Sequence, residues 1–403
     1  MSETFKATRV TDNVYWVGAI DWNVRDFHGY ETDRGSTYNA YLVMADKITL
    51  IDTVKAPFKG EMLARIASVV DPAQINYIIS NHSEMDHTGC LPEVIETMKP
   101  ERVFASAMGV KALSNHFSDL QIVEAVKDGQ SLDLGDMKLI FTETRMLHWP
   151  DSMFSYLEDE RLLFSQDVFG MHLATGERFA DEIEDCLLEN EAAKYYANIV
   201  MPYSSIVEKT LAKVAESGMQ LDIIAPDHGP IWRTPETIEG VIARYARWAA
   251  QRPTMKALVV YDTMWHSTEK MATAIAEGLS AVGAVPQLMS LSANHRTEIA
   301  TEVLEAGALL VGSPTLNNNI LPTVADILTY LKGLRPKNLI GVTFGSYGWS
   351  GESVKIIEGF LNNMKVELIE ESLGINYVPD DKVLEECFAL GNRIGKKLKS
   401  VCS

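Results

Sequence analysis

The sequence contains no C-x-x-C pair. Its four cysteines, Cys90, Cys186, Cys387 and Cys402, stand far apart. That spacing argues against a Cys-rich zinc site, an iron–sulfur cluster or a disulfide framework, and fits a reducing compartment. There is no G-x-G-x-x-G and no G-K-[ST], so the dinucleotide fingerprint and the P-loop are both missing. No apolar run reaches about eighteen residues, so no membrane-spanning helix is expected. The opening Met1-Ser2-Glu3-Thr4-Phe5-Lys6 lacks the apolar core of a secretion signal, and a cytoplasmic location is the expectation. Positive charge is scarce: 36 Lys and Arg against 55 Asp and Glu leave a net charge of −19. Nucleic acid and anionic membrane are therefore poor partners. Internal repeats and low-complexity tracts are absent as well.

What the chain does have is a globular balance, 46% hydrophobic and 23% charged. At 403 residues it is too long for one ordinary core, so at least two domains are expected. The densest chemistry lies in Asn81-His82-Ser83-Glu84-Met85-Asp86-His87-Thr88-Gly89-Cys90. The preceding Ile75-Asn76-Tyr77-Ile78-Ile79-Ser80 reads as a short buried strand, so His82 sits where a strand gives way to a loop. In α/β sheets, ligands gather outside the carboxyl ends of strands. A single histidine in such a place is more often solvated or hydrogen-bonded than a ligand. Two imidazoles and two carboxylates in H-x-E-x-D-H order are different. They repel and desolvate one another unless a positive charge neutralises them, and a metal ion does so.

Around this motif the start of the chain is β-rich. Strands are predicted at 13–18, 38–44 and 47–52, the last two paired across Ala45-Asp46. A helix is predicted over 59–69, with Met62, Leu63, Ile66 and Val69 on one face. Leu91 to Met98 reads as a helix and 102–105 as the next strand. Strand–loop–helix units are expected to continue to about residue 250. Within them His148, Asp167 and His228 each close an apolar run. Their shared placement at successive strand ends argues that they converge on the first cluster. A helix over 237–250 and the linker Gln251-Arg252-Pro253 then divide the chain into domains 1–253 and 254–403.

Beyond the linker, strands are predicted at 256–261, 285–290, 307–312, 338–344 and 366–369. Helices alternate with them near 268–281, 297–304, 322–332, 351–364 and 380–398. This is the order of a small doubly wound parallel sheet. Its first strand-end loop, Thr263, Met264, Trp265, His266, Ser267 and Thr268, leads into a helix N-terminus. Free N–H groups and hydroxyls there suit a single phosphate without a lysine, although an ordinary N-cap at Ser267 or Thr268 explains that loop alone equally well. Ser313, Pro314, Thr315, Leu316, Asn317 and Asn318 follow the third strand. Ser346, Tyr347, Gly348, Trp349, Ser350 and Gly351 follow the fourth. Small residues let backbone approach a flat ring, and Tyr347 and Trp349 offer stacking faces. Together the three loops describe a pocket for flavin mononucleotide (FMN) in a flavodoxin-like domain.

On these residues the N-terminal part resembles the metallo-β-lactamase fold, an αββα sandwich whose binuclear zinc hydrolases carry H-x-H-x-D-H. Glu84 stands where those hydrolases have a second His, and the harder, more anionic carboxylate favours iron over zinc. Such a domain followed by a flavodoxin-like doubly wound sheet resembles the flavodiiron proteins, or A-type flavoproteins, over essentially the whole chain. The resemblance implies two non-haem irons. His82, Glu84 and His148 would hold one, Asp86, His87 and His228 the other, with Asp167 bridging. It sets Tyr195, His172 and His28 around that site and gives no ligand role to His116, His266 or His295. It also implies reduction of nitric oxide to nitrous oxide, of dioxygen to water, or both. Electrons would pass through FMN from rubredoxin or a similar small carrier. A head-to-tail homodimer, or a dimer of dimers, would bring the flavin of one subunit beside the irons of another. Two rival readings remain open. A binuclear zinc hydrolase with an added flavin domain leaves Glu84 and the flavin unexplained, and would show zinc and esterase activity. A plain flavin electron carrier leaves the seven ligand candidates unexplained.

Overall fold

Apolar side chains that alternate along the N-terminal strands give each strand two faces to bury. Tyr41, Val43, Ile51, Ile79 and Phe104 point into one core, where they meet Phe141, Leu157, Leu162 and Phe164 of a second sheet. Their neighbours Leu42, Leu50, Ile78 and Val103 point the other way, onto Met62, Ile66, Leu91 and Val94 of the covering helices. The far face of the second sheet presents Phe154 and Leu163 to Val207, Leu211 and Ile242 of the helices Ser204–Ser217 and Pro235–Ala250. The result is an αββα sandwich.

The larger sheet runs, in spatial order, Thr8–Arg9, Val14–Trp16, Tyr41–Val43, Thr49–Ile51, Tyr77–Ser80, Arg102–Ser106 and Val123–Val126. The smaller runs Ser131–Asp133, Lys138–Glu143, Met153–Leu157, Leu162–Gln166 and Ile223–Pro226. The computed structural model describes residues 4–118 and 120–402. They form two compact units: the chain up to Tyr195 with Ser205–Ala246, and Tyr196–Ser204 with the chain from Arg247 onward. Gln251-Arg252-Pro253 lies within the second unit.

Two features of the first unit depart from the sequence reading. The stretch 38–44 is not one strand: Ser36–Tyr38 pairs with Ala19–Asp21, and only Tyr41–Val43 joins the large sheet. Asn39 causes the break. Its side chain accepts from Trp16 Nε1 at 2.8 Å and donates to the carbonyls of Pro226 at 2.7 Å and Gly229 at 2.9 Å. Nor do strand–loop–helix units run on without interruption. The four strands from Ser131 to Gln166 pair antiparallel, one after the next, with no α-helix between them. Their connections are too short for a crossover helix, and Gly135 takes one tight turn at φ +97°.

In the second unit the sheet order is Val285–Ser290, Lys256–Tyr261, Ala308–Gly312, Ile340–Tyr347, Glu367–Leu368. In chain order that is 2-1-3-4-5 and all parallel, the flavodoxin arrangement. The last strand differs from expectation. Glu367–Leu368 is short, and a further strand, Leu373–Asn376, pairs with the distal half of Ile340–Tyr347. The polar run Glu370-Glu371-Ser372 separates the two.

Helices Ser267–Ser280 and Asp381–Val401 approach through glycine on both sides. A Cβ at Gly278 would run into the Phe388 carbonyl, and one at Gly391 into that of Ile275. Because backbone is the obstacle, Gly278→Val is expected to destabilise this unit by about 1–3 kcal/mol. Chemical denaturation checks this; an unchanged midpoint would show that the helices separate freely.

Candidate active site

Four loops at the carboxyl ends of strands from both sheets deliver the seven candidate ligands. His82 and Glu84 follow Tyr77–Ser80, and Asp86 and His87 lie in the short helix Met85–Thr88. His148 lies beyond Lys138–Glu143, Asp167 directly follows Leu162–Gln166, and His228 follows Ile223–Pro226. All seven side chains converge. His148 is largely buried and the other six are buried.

They meet as two groups that share one carboxylate. His148 Nε2 lies 2.6 Å from Asp167 Oδ2 and 3.3 Å from Glu84 Oε2. His82 Nε2 lies 3.3 Å from the same Asp167 Oδ2 and 4.0 Å from Glu84 Oε2. The second group faces the other oxygen. His228 Nε2 is 3.5 Å and His87 Nε2 3.9 Å from Asp167 Oδ1. Those two nitrogens are 3.1 Å apart, and Asp86 Oδ2 is 3.2 Å from His228 Nε2 and 3.5 Å from His87 Nε2. His87 thus turns Nε2 into the second group.

The residues fit a pair of metal ions. First-row dications bind N and O donors at about 2.0–2.2 Å, so two donors of one ion lie roughly 3 Å apart. The His87, His228 and Asp86 separations have that size. Moreover, His82 Nε2, Asp167 Oδ1 and both Asp86 oxygens are buried without a hydrogen-bond partner. Such atoms are costly to bury unless a cation takes them up.

Several supporting residues escaped the sequence reading. Asp227 is buried, with Oδ2 3.4 Å from His82 Nδ1 and 3.9 Å from His87 Nδ1. One carboxylate so backs an imidazole of each group. His228 Nδ1 donates to the Thr37 carbonyl at 2.6 Å, which leaves Nε2 as the free lone pair. Asp52 accepts from the Asn81 backbone and side-chain amides, each at 2.7 Å, and Ser155 Oγ donates to Asn81 Oδ1 at 2.6 Å, holding the residue before His82. Gln166 donates to the Leu147 carbonyl and accepts from Asp167 N–H, both at 2.7 Å, tying two ligand loops together. Asp52, Met146, Gln166 and Phe169 all adopt positive φ, at 55°, 66°, 45° and 66°. Left-handed backbone in non-glycine residues costs on the order of 1 kcal/mol each and clusters at functional sites. A faint signal was present: Asp227 adjoins His228, and Asp52 ends a strand.

The electrostatics show how crowded the carboxylates are. Burial pushes the Asp227 carboxyl well above its usual range, with repulsion from Asp52 adding to it. Burial also lifts Asp52, to about 6. Burial acts the same way on Asp167, yet His82 and His148 beside it hold that carboxyl well below the usual range.

His172 and Tyr195 are buried next to the second group. The His172 ring is 4.6 Å from that of His228 and 5.1 Å from that of Tyr195, and Ser36 Oγ lies 2.7 Å from its Nδ1. Burial, with Asp167 and Glu84 nearby, raises the Tyr195 phenol well above its ordinary range, so it stays protonated. His28 is different: its side chain is 80% exposed, and Nε2 lies 3.6 Å from Glu84 Oε1. It stands at the rim.

In the second unit the three predicted loops surround a cavity of about 540 Å³, within the size range of cofactor pockets. Its lining includes Met264, Trp265, Ser267, Pro314 to Asn318, and Ser346 to Ser350. Thr263, His266, Thr268, Ser313 and Gly351 do not line it. Thr268 Oγ1 lies 3.2 Å from Ser346 Oγ, Ser313 Oγ accepts from Leu321 N–H, and His266 Nδ1 is 2.6 Å from Glu269 Oε2. Tyr377 and Val378 join the lining unforeseen. They follow Leu373–Asn376, the strand that the sequence did not reveal.

Asp227 gives a test of the paired geometry. Removing a carboxylate that orients ligand imidazoles typically weakens metal binding about 10- to 100-fold. Asp227→Ala is expected to do so at both metal positions, as read by chelator competition. Loss at neither position would show that it only fills space.

Comparison with known proteins agrees with both halves. Residues 37–229 match the ODP family beta lactamase model and residues 259–391 the flavodoxin model. The rubredoxin-oxygen oxidoreductase of Megalodesulfovibrio gigas is 46% identical over 98% of this chain and 99% of its own. The nitric oxide reductase of Moorella thermoacetica is 45% identical over 96% and 98%. The solved flavodiiron protein from Giardia intestinalis superposes with a TM-score of 0.95 at 32% identity, covering 100% of this chain and 99% of that one. With the modules in this order and full-length likeness to such relatives, the chain belongs to the flavodiiron protein family.

Proposed function

We propose that this flavodiiron protein reduces nitric oxide to nitrous oxide, dioxygen to water, or both, with electrons relayed through FMN. The observation that carries the reading is the sharing of Asp167 between two ligand groups, in a chain that also holds a flavodoxin unit. The relatives' names divide between the two gases. In this reading His82, Glu84 and His148 would hold one iron and Asp86, His87 and His228 the other, with Asp167 shared between the two. When bound, two ferrous ions and a reduced flavin together supply the four electrons dioxygen needs, or the two that couple a pair of nitric oxide molecules.

The chain's own residues do the rest. Glu84, Asp86 and Asp167 neutralise the metals' charge, and Asp227 and Thr37 fix which imidazole nitrogen faces inward. Tyr195 packs against the His172 and His228 rings beside the second group, where its phenol is the proposed hydrogen-bond and proton donor. His28, at the rim, guards the approach to Glu84.

Rubredoxin or a similar small carrier is the proposed donor, by analogy with the relative named for it. A head-to-tail homodimer, or a dimer of dimers, is the proposed assembly. Trp265 and Trp349 at the flavin rim are 86% and 90% exposed, and Met85 and Met146 beside the metal loops are 47% and 39% exposed. Pairing the two rims across a dimer axis would cover both patches. We also propose a cytoplasmic location, in keeping with four unpaired cysteines. No helix among the described residues is long and apolar enough to cross a membrane.

Purified protein is expected to contain about two irons and about one FMN per chain, and to consume nitric oxide or dioxygen with a reduced carrier under anaerobic control. His148→Ala should abolish gas consumption and leave the flavin spectrum intact. Zinc in place of iron, with esterase activity, would defeat the reading. Tyr195→Phe is expected to lower kcat about 100-fold without loss of iron. Unchanged turnover at every pH would remove Tyr195 from proton delivery.

A further inference from the structure

On the outer face of the five-stranded sheet, behind the metal-holding loops, lies an apolar pit of about 270 Å³. Leu147, Leu163, Val168 and Phe169 form its floor and are buried. Half-exposed Leu211 and Val214 and exposed Ala215, on the helix Ser204–Ser217, form part of its mouth. Thr210 carries the one polar side chain in the lining. Ligand binding at the metal centre uses none of these side chains.

The pit is joined to that centre through the backbone. Leu147 is the chain neighbour of His148, and Val168 of Asp167. Leu147, Val168 and Phe169 of the floor are therefore borne by the same two loops as His148 and Asp167, which Gln166 ties together. A small solute resting on Leu147 and Val168 is one residue away from the ligands of the first group.

The lining decides what such a solute is. A buried water needs about two to four polar partners, and the floor offers none. Ions would lose their hydration with nothing in return. A small apolar molecule is released from water and gains dispersion contacts on every side. Apolar cavities of about 150 Å³ already take up xenon or benzene. Dioxygen and nitric oxide are small, uncharged diatomics of the same character.

We propose that this pit is a binding and entry site for small apolar gas molecules, holding substrate against Leu147 and Val168 beside the metal ligands. The proposal rests on the gas-reductase reading given above. It predicts that the pit raises the local gas concentration, so that closing it alters apparent affinity more than the chemical step.

Xenon pressurisation of crystals of the iron- and FMN-loaded protein tests this directly, alongside an Ala215→Trp variant. The indole would close the mouth from an exposed position and leave the buried floor alone. Xenon density is expected in the pit of the natural protein and not in the variant. The variant's apparent KM for dioxygen or nitric oxide should rise about fivefold or more, with kcat at saturating gas kept. An empty pit under xenon would overturn the proposal. So would a variant that has lost xenon yet keeps the original KM. If the natural protein consumed neither gas, the reductase reading would fall. Xenon in the pit would even then support gas binding, and its absence would still refute it.

Discussion

Asp167 is a buried carboxylate that faces two groups of imidazoles at once, Oδ2 toward His82 and His148 and Oδ1 toward His87 and His228. Its negative charge, far from water, has to be matched. Four histidines, the carboxylates of Glu84 and Asp86 and their supports are arranged so that cations can do this. The sandwich brings them together because each ligand lies beyond the carboxyl end of a strand, and the two sheets present those ends on one side. Were one strand to slip by a residue, its side chains would change faces, and the ligand loop that follows would be displaced with them.

Holding that geometry takes residues that lie behind the cluster. Asp227 backs one imidazole of each group, and the Thr37 carbonyl fixes the His228 tautomer. Asn39 breaks a strand so that its side chain can reach the Pro226 and Gly229 carbonyls on either side of Asp227 and His228. Left-handed backbone at Asp52, Met146, Gln166 and Phe169 shows where the chain is bent to suit the site rather than the sheet. The apolar pit is the other face of the same loops, so one bend serves both a polar cluster and a dry floor.

The flavodoxin unit follows the same strand-end logic with different chemistry. Its cavity is bounded by hydroxyls, asparagines and aromatic rings in place of clustered charges, as suits a planar, phosphorylated ligand. Trp265 and Trp349 are left almost wholly exposed at the mouth of that cavity.

Much of this was legible in the residue order. The H-x-E-x-D-H cluster announced a metal because like charges crowd there. His148, Asp167 and His228 were visible because each closes an apolar run. Regular βα alternation after residue 254 gave the parallel sheet, and its switch point pointed to the three loops that surround the cavity. Asp52 and Asp227 were not legible, since an acidic residue after a strand looks the same whether it is solvated or buried behind a histidine. Tyr377 and Val378 were hidden by a strand of four residues, too short to show a period. The antiparallel run from Ser131 to Gln166 was misjudged because strand pairing is not written in any one strand. Local sequence thus determined the element types, the ligand chemistry and the order of the two modules, for these depend on neighbours a few residues apart. Only the tertiary structure decided which atoms of Asp167 face which group, what backs each histidine, and where an apolar pit opens. Those depend on contacts between residues far apart in the chain, which packing alone brings together.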